Sequence, residues 1–255
     1  MPQVSVITAV INGGHHYLGD AYRSLCEQEM PPGWTWEWIL QEDGTTQIPL
    51  RELPDDPRIS PGYGRPGRAC MARTVALSRA GGSLIRALDA DDLLTPGALA
   101  REIKILEEHP SVGWTACAAL DLQPDGSLTG VTTDPPEGLL EPGSIVASYE
   151  AGTMPIVGGT CCIRRDLIFA LGGWPALPAS EDLGLMLALE QIAPGWFISE
   201  VGYCYRKHPT QSTEESRFFD PVELRARRVL IIERVAAMRR LGRFGGTRED
   251  TTDRG

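Results

Sequence analysis

The 255-residue chain lacks an excess of positive charge: 24 Lys and Arg stand against 34 Asp and Glu, a formal net charge of −10 at pH 7. A dedicated DNA or RNA binder needs a basic footprint to replace phosphate counterions, so nucleic acid is excluded as the partner. The chain also lacks any stretch near the ~18 apolar residues that a membrane span requires. Its opening, Met-Pro-Gln-Val-Ser-Val-Ile-Thr, has neither the basic nor the long apolar region of a secretory signal. The six cysteines (Cys26, Cys70, Cys117, Cys161, Cys162 and Cys204) include no Cys-x-x-Cys pair. They read as buried thiols of a cytoplasmic protein, not as disulfides or zinc ligands. Adjacent Cys161 and Cys162 would face opposite sides of a strand. There is no internal repeat.

What is present suits one α/β domain: the hydrophobic fraction is 42%, enough at this length to bury a substantial core. Val4–Val10 is an apolar, β-branched run, the profile of a buried strand. Asn12-Gly13-Gly14 breaks it, and a helix follows from Leu18 to about Glu29, stopped by Pro31-Pro32-Gly33. Trp36–Gln41 reads as a second strand that ends on Glu42-Asp43-Gly44. Pro49–Pro66 is irregular, with at most a short strand near Ile59. Gly67–Ala80 reads as a helix with Met71, Val75 and Leu77 among its apolar positions, and Gly81-Gly82 ends it. Ser83–Leu88 is the next strand. Thr95-Pro96 predicts a helix with Thr95 as N-cap, running to about His109. Further strands fall at Val112–Leu120, 160–164 and Phe197–Tyr205, a turn at Asp125-Gly126, and helices near Arg165 and over Ser180–Gln191. Strand–helix alternation through about residue 120 indicates a mainly parallel sheet flanked by helices. Ligands of such sheets bind beyond the carboxyl ends of the strands, and Asn12, Asp43 and Asp89–Asp92 all fall at such ends.

Asp89-Ala90-Asp91-Asp92 carries the strongest chemical signal. Three carboxylates in four positions repel one another, and each is costly to desolvate at a strand end. Hard oxygen donors at this density suit Mg2+ or Mn2+, which would also bridge phosphate oxygens. The competing interpretation is an acidic turn that complements the next helix dipole. The apolar strand Leu84-Ile85-Arg86-Ala87-Leu88 leading into the cluster favours the metal.

The order of features resembles glycosyltransferase family 2, whose fold is the Rossmann-like GT-A fold. Val-Ser-Val-Ile-Thr-Ala-Val-Ile-Asn with Tyr17-Leu18 and Ser24-Leu25 is similar to the family's first strand and helix. Trp38-Ile39-Leu40-Gln41-Glu42-Asp43-Gly44-Thr45 is similar to its second strand and acidic turn. Ala72-Arg73-Thr74, Ala80-Gly81-Gly82 and Leu88-Asp89-Ala90-Asp91-Asp92, continued by Thr95-Pro96, resemble its helix, strand and Asp-x-Asp run. The resemblance covers residues 3–125 well and 155–210 loosely. It implies an inverting transfer of a sugar from a nucleotide diphosphate, UDP by default and dTDP otherwise, to an unidentified acceptor hydroxyl, with Mn2+ or Mg2+ as cofactor. Asp43 would bond the base, backbone at Ala9 and Val10 would line its pocket, and Asn12, Arg73 and Ala90 would join the nucleotide site. Asp89 would meet the ribose or the metal shell, and Asp91 would ligate the cation. Asn12 is followed by Gly-Gly-His-His where the family is more acidic, and Thr74 stands where it often has Asn.

Ser180-Glu181-Asp182-Leu183 precedes an apolar helix. Ser180 reads as an N-cap and the acids as first-turn residues, or else a carboxylate here is the general base. The resemblance implies the base, at Asp182 with Glu181 as the alternative. Tyr203-Cys204-Tyr205-Arg206-Lys207-His208 is similar to the family's late aromatic–basic segment, and implies His208 in the metal shell and Arg206 on a phosphate. Trp174, after Leu171-Gly172-Gly173, either stacks on a sugar or fills core, and His109 is a helix-end residue. The absence of a Gln-x-x-Arg-Trp run after Asp182 argues against a processive polysaccharide synthase. A phosphatase of the haloacid-dehalogenase type would carry Asp-x-Asp on its first strand with Gly-Thr after it, a pyrophosphorylase a Gly-rich, Arg-bearing first loop; neither fits. A relative that binds nucleotide sugars without turnover is the remaining alternative. The expected organisation is a catalytic domain over 1–215 (nucleotide half to about 125, acceptor half 126–215), a helix over 216–243 and a disordered tail over 244–255. Pro221–Leu241 carries six Arg against two Glu, a net of +4. Leu224, Ile231, Val235 and Met238 share one face there, suited to docking on the domain or pairing in a homodimer, with an anionic membrane as the third option.

Overall fold

The computed structural model describes residues 1–130, 134–211 and 219–245. Its strands are β1 (Gln3–Val10), β2 (Thr35–Asp43), β3 (Ile59–Gly64), β4 (Leu84–Ala87), β5 (Leu93–Leu94), β6 (Trp114–Leu122), β7 (Leu128–Gly130), β8 (Gly138–Leu139), β9 (Cys162–Arg164) and β10 (Gly195–Arg206). Its α-helices are α1 (Leu18–Cys26), α2 (Arg68–Ala76), α3 (Ala98–Glu108), α4 (Ser144–Glu150), α5 (Arg165–Ala170), α6 (Glu181–Leu189) and α7 (Pro221–Gly245). The strands form one sheet in the order β3-β2-β1-β4-β9-β6-β10-β5, with β7 on β6 and β8 on β10. β3, β2, β1 and β4 are mutually parallel, as are β6 and β10; β9 runs antiparallel between β4 and β6. The α/β architecture with a mainly parallel sheet therefore stands as expected.

Alternation along the strands splits the core into two layers. Val4, Val6 and Val10 of β1 pack with Leu18, Ala21 and Leu25 of α1 and Leu99 and Ile103 of α3. Ile7, Ile39 and Ile85 face the other layer with Ile145, Ile168, Leu185 and Ile231. Cys161, in extended backbone just before β9, and Cys162, its first residue, fall in opposite layers, and all six cysteines are free thiols. A buried polar chain ties the strand ends together. Trp38 Nε1 donates to Thr8 Oγ1 (2.8 Å), and that hydroxyl donates to the Leu88 carbonyl (2.7 Å), one residue before the aspartate cluster.

Several boundaries differ from the sequence expectation, each for a local reason. α1 ends at Cys26, short of Glu29, because Gln28 leaves the helix to bond Ser24 O, Thr95 O and Leu99 N. Thr95 is not the cap of α3, which begins at Ala98 behind a left-handed Gly97. Its hydroxyl donates instead to Val201 O (2.5 Å), a carbonyl at the register break in β10, where bulged strands leave polar groups to be satisfied. Met71 and Val75 are about half exposed; α2 buries the small residues Cys70, Ala72 and Ala76 together with Arg73. Phe197–Tyr205 is part of one 12-residue strand.

α7 docks through Ile231 and Val235, both buried, while Leu224 is 38% exposed. Two of its arginines act on neighbouring helix ends. Arg228 donates to Glu150 O at the end of α4 (2.6 Å) and Arg234 to Leu171 O after α5 (3.2 Å). Cations suit such C-terminal carbonyls, which gives the basic face of α7 a use within the domain. Among the described residues no helix is long and apolar enough to cross a membrane. Of the expected disordered tail over 244–255, the first two residues end α7, which runs to Gly245, and the rest lies outside the described residues.

One ion pair is wholly enclosed between the sheet and α3: Arg86 Nε on Glu102 Oε1 at 2.9 Å, with both side chains at or below 1% exposure. Arg86 also donates to Ala87 O and to Gly159 O, which it anchors beside the cleft described below. Glu102→Leu strands a buried guanidinium and is expected to cost about 3–5 kcal/mol in urea denaturation, most of which the double variant Arg86→Met/Glu102→Leu regains. A single variant within 1 kcal/mol of the wild type contradicts this assignment.

Candidate active site

β1, β2 and β4 end on the same edge of the sheet, and a cleft of about 690 Å³ opens there. That is within the range of small-molecule sites. Ala9, Val10, Asn12 and Asp43 line it from the β1–β2 side, Arg73 and Asp89–Asp92 from the middle, and Gly158, Ser180–Asp182 and His208 from the far side. Of the catalytic, nucleotide, metal and phosphate residues expected from the sequence, Arg206 alone is not part of this lining. Its guanidinium donates to Asp91 O (2.7 Å), pairs with Asp20 (2.9 Å) and lies over the Tyr17 ring.

Arg73 organises the centre. It is 4% exposed, and its Nη1 meets Glu181 (2.8 Å) and Asp182 (3.1 Å) while Nη2 bonds Asp89. Burial alone would lower this guanidinium, but Asp182, Asp89 and Glu181 outweigh it and hold the group well above its usual range. One cation therefore joins the end of β4 to the start of α6. Its Nε is buried and has no hydrogen-bond partner among the described residues.

The three aspartates have separate environments. Asp89 belongs to Arg73. Asp91 Oδ2 meets His208 Nε2 at 2.8 Å, and the other ring nitrogen of His208 is 2.9 Å from Thr210 Oγ1. Burial, then the neighbouring Asp89, raise the Asp91 carboxyl. Asp92 is wholly buried and accepts from Tyr203 OH (2.6 Å) and Arg206 N (2.7 Å). Burial, then Asp89 and Asp91, push it well above the carboxylate range. Asp92 thus pins β10 to the loop after β4. Among the described residues no three or more His, Cys, Asp or Glu side chains converge as a metal-ligand set; Asp91 and His208 form a two-donor pair.

Asp43 is engaged by the protein itself: its two oxygens accept from Gly67 N and Arg68 N, capping α2 across the cleft. A carboxylate retains further acceptor positions after two such bonds. The neighbouring Glu42, given no role of its own in the sequence, is 1% exposed and folds the following loop by accepting from Thr46 N, Thr46 Oγ1 and Gln47 N. Ser180 occupies the N-cap position of α6 with Glu181 and Asp182 in the first turn, as its type suggests, but it sits at φ +63° and makes no side-chain cap bond; its hydroxyl instead accepts from Arg227 of α7 at 3.2 Å.

Asp182 Oδ1 accepts from Arg73 and also from Trp174 Nε1 (2.8 Å). Burial raises the Asp182 carboxyl, Glu181 and Asp89 add to the rise, and Arg73 and the indole oppose it; the balance is pushed up to about 7. A carboxyl so poised can exchange a proton near neutral pH. Trp174 is 4% exposed and so belongs to the core, not to a sugar-stacking surface. His109 caps the end of α3 and stacks on Trp196 at 4.4 Å.

Arg73→Met leaves Glu181, Asp182 and Asp89 facing one another without a cation. The expected cost is about 3 kcal/mol, at the low end for breaking a buried pair because the acids reach the cleft. Protonation relieves their repulsion, so the loss in urea denaturation is smaller at pH 5 than at pH 8; an equal loss at both contradicts the electrostatic role.

No curated protein matches the chain. Solved structures of S. aureus TarS share its fold. The complex with UDP-GlcNAc gives a TM-score of 0.69 at 18% identity over 85% of this chain, and the complex with UDP gives 0.66 at 19% over 82%. This chain spans 61% of each of those chains, and 37% of a further TarS structure (TM-score 0.64, 20% identity, 82% of this chain). The glycosyl transferase family 2 model matches residues 5–169, from β1 through the aspartate cluster to α5. The cleft at the strand ends, its Asp-x-Asp run and this match agree: the chain belongs to glycosyl transferase family 2.

Proposed function

We propose that the chain transfers a sugar from a UDP-sugar to an acceptor hydroxyl with inversion, using Asp182 as general base. The observation that carries this reading is the Arg73 clamp, which bonds both Asp89 and Asp182 in one cleft; on this reading Asp89 faces the donor and Asp182 the acceptor. The TarS complexes hold UDP and UDP-GlcNAc, which supports UDP over dTDP as the nucleotide. The base would lie against β1 and β2, with Ala9 and Val10 as its floor and Asp43 accepting the imide N–H through a remaining lone pair. Asn12, Ala90 and Asp89 would border the ribose and diphosphate.

Asp91 and His208 suit a divalent cation. One carboxylate and one imidazole leave positions for diphosphate oxygens and water, and the imidazole favours Mn2+ over Mg2+. The Thr210 hydroxyl on the other ring nitrogen would hold the imidazole in orientation for the cation. When bound, the cation would offset charge on the leaving diphosphate. The chain's own part is acid–base chemistry and positioning. Asp182 takes the proton of the acceptor hydroxyl as its oxygen attacks the anomeric carbon, and the bond to the diphosphate oxygen breaks with its electron pair on the leaving group. Glu181, held on Arg73 through Nη1, maintains the charge balance beside the base. Turnover requires Asp182 without its proton, so the rate rises with pH through about 7.

Two measurements test this reading. Asp182→Asn is expected to keep UDP affinity and to lose roughly 10²-fold or more in UDP release from the UDP-sugar, while the wild-type rate falls tenfold per unit below the limb near pH 7. Near-normal turnover in Asp182→Asn moves the role to Glu181. UDP with Mn2+ is expected to raise the melting temperature more than CDP or ADP does, since an acceptor at Asp43 leaves those bases unpaired. Asp91→Asn removes the Mn2+-dependent part of that rise. An unchanged Mn2+ effect in that variant contradicts the metal assignment, and a preference for ADP removes Asp43 from the base pocket.

A further inference from the structure

Resting on the assignment of Asp182 as the base, we propose that the indole of Trp174 is a positioning residue that binds one oxygen of Asp182 and thereby selects the other, Oδ2, as the atom that takes the acceptor proton. Both donors that reach Asp182, Trp174 Nε1 at 2.8 Å and Arg73 Nη1 at 3.1 Å, bond Oδ1. No hydrogen bond from a described residue reaches Oδ2. A carboxylate with one oxygen held by two N–H groups has lost its rotational freedom, and its second oxygen presents an open lone pair in a fixed direction.

The chain goes to some length to place that indole. Gly172 and Gly173 both adopt left-handed backbone (φ +79° and +84°), a pair of turns that brings Trp174 back beneath α6. A Cβ on Gly173 would come within 2.6 Å of Thr74 Oγ1. That same hydroxyl accepts from Trp174 N at 3.0 Å, so the backbone of the tryptophan is fastened to α2 two residues short of Ala76, on the helix that carries Arg73. From the other side, Gly158 closes on the base: a Cβ there would lie 2.7 Å from Asp182 Cβ. Asp182 is thus confined between a glycine wall and a fixed indole. A core-filling role alone would be met by Phe, which has no N–H to offer. The buried nitrogen of this tryptophan has its hydrogen-bond partner in Asp182.

The charges facing Asp182 are Arg73 from α2, Glu181 from its own helix and Asp89 from the loop after β4; Cys161 beneath it is a buried neutral thiol. Trp174 therefore adds the one neutral donor that favours the ionised base. In the wild-type protein, the indole 15N–1H signal of Trp174 is expected to move with pH at the same midpoint as the 13C carboxyl signal of Asp182, assigned by its disappearance in Asp182→Asn. Trp174→Phe is expected to raise the carboxyl midpoint by roughly one unit, the scale of a hydrogen bond to a charged group. Trp174→His, which keeps a ring N–H, returns the midpoint toward the wild type. An indole signal that stays flat while the carboxyl titrates, or a Trp174→Phe midpoint equal to the wild type, overturns the proposal. The first readout needs no variant to fold. Should Asp182 not be the base, Asp182→Asn would retain turnover while the indole–carboxyl coupling persisted, so the two failures are distinct.

Discussion

The bond set of Arg73 to Asp89, Glu181 and Asp182 is the interaction on which the rest of the cleft depends. The three acids come from segments about ninety residues apart in sequence. Without a cation among them, they would repel one another and open the cleft. A guanidinium is suited to the task because its donors fan out in one plane toward several acceptors and its charge is permanent. Its burial at 4% exposure makes each contact count for more than it would at the surface. The same placement couples the two halves: a group that moves Asp89 changes the field felt by Asp182.

Around this clamp, the fold uses polar contacts where a simple layered protein would use apolar ones. Asp92 is invested in Tyr203 and the backbone of Arg206, which locks β10 against the loop after β4 and leaves Asp91 to meet His208. Arg86 and Glu102 hold the Gly158–Gly159 turn from below through the Gly159 carbonyl. Asp43 and Glu42, side by side at the end of β2, organise α2 and the following loop. Such buried polar groups are costly unless every partner is present, which is why the cleft depends on a geometry shared among six elements and not on one loop.

Much of this was legible in the sequence. The apolar β-branched runs, the breaks at Asn12-Gly13-Gly14 and Glu42-Asp43-Gly44, and the Asp89–Asp92 cluster placed the strand ends on one edge, because strand periodicity and turn residues are local signals. The structure brings Asp91 to His208 and sets Glu181 and Asp182 in the same cleft. What was hidden is long-range. Nothing in Ala72-Arg73-Thr74 tells that Arg73 bonds acids at positions 89, 181 and 182, and local composition cannot say that Thr95 serves a bulge in β10 instead of capping α3. Arg86 inside an otherwise apolar strand was a readable hint of a buried partner, since a guanidinium is not enclosed unpaired. Gly172-Gly173-Trp174 was noticed but its partner was not, because two left-handed residues redirect the chain in a way that periodicity does not encode. Arg206 went the other way: its type suited a phosphate, yet Asp20 and Asp91 O engage it.

The central claim is that one cleft holds donor and base together through Arg73. A crystal structure with UDP and Mn2+ tests it most directly. The expected result is uracil against the ends of β1 and β2 near Asp43, Mn2+ in contact with Asp91, and Arg73 still bonded to both Asp89 and Asp182. Nucleotide bound elsewhere on the molecule, or a cleft in which Arg73 has left Asp182, would contradict the account.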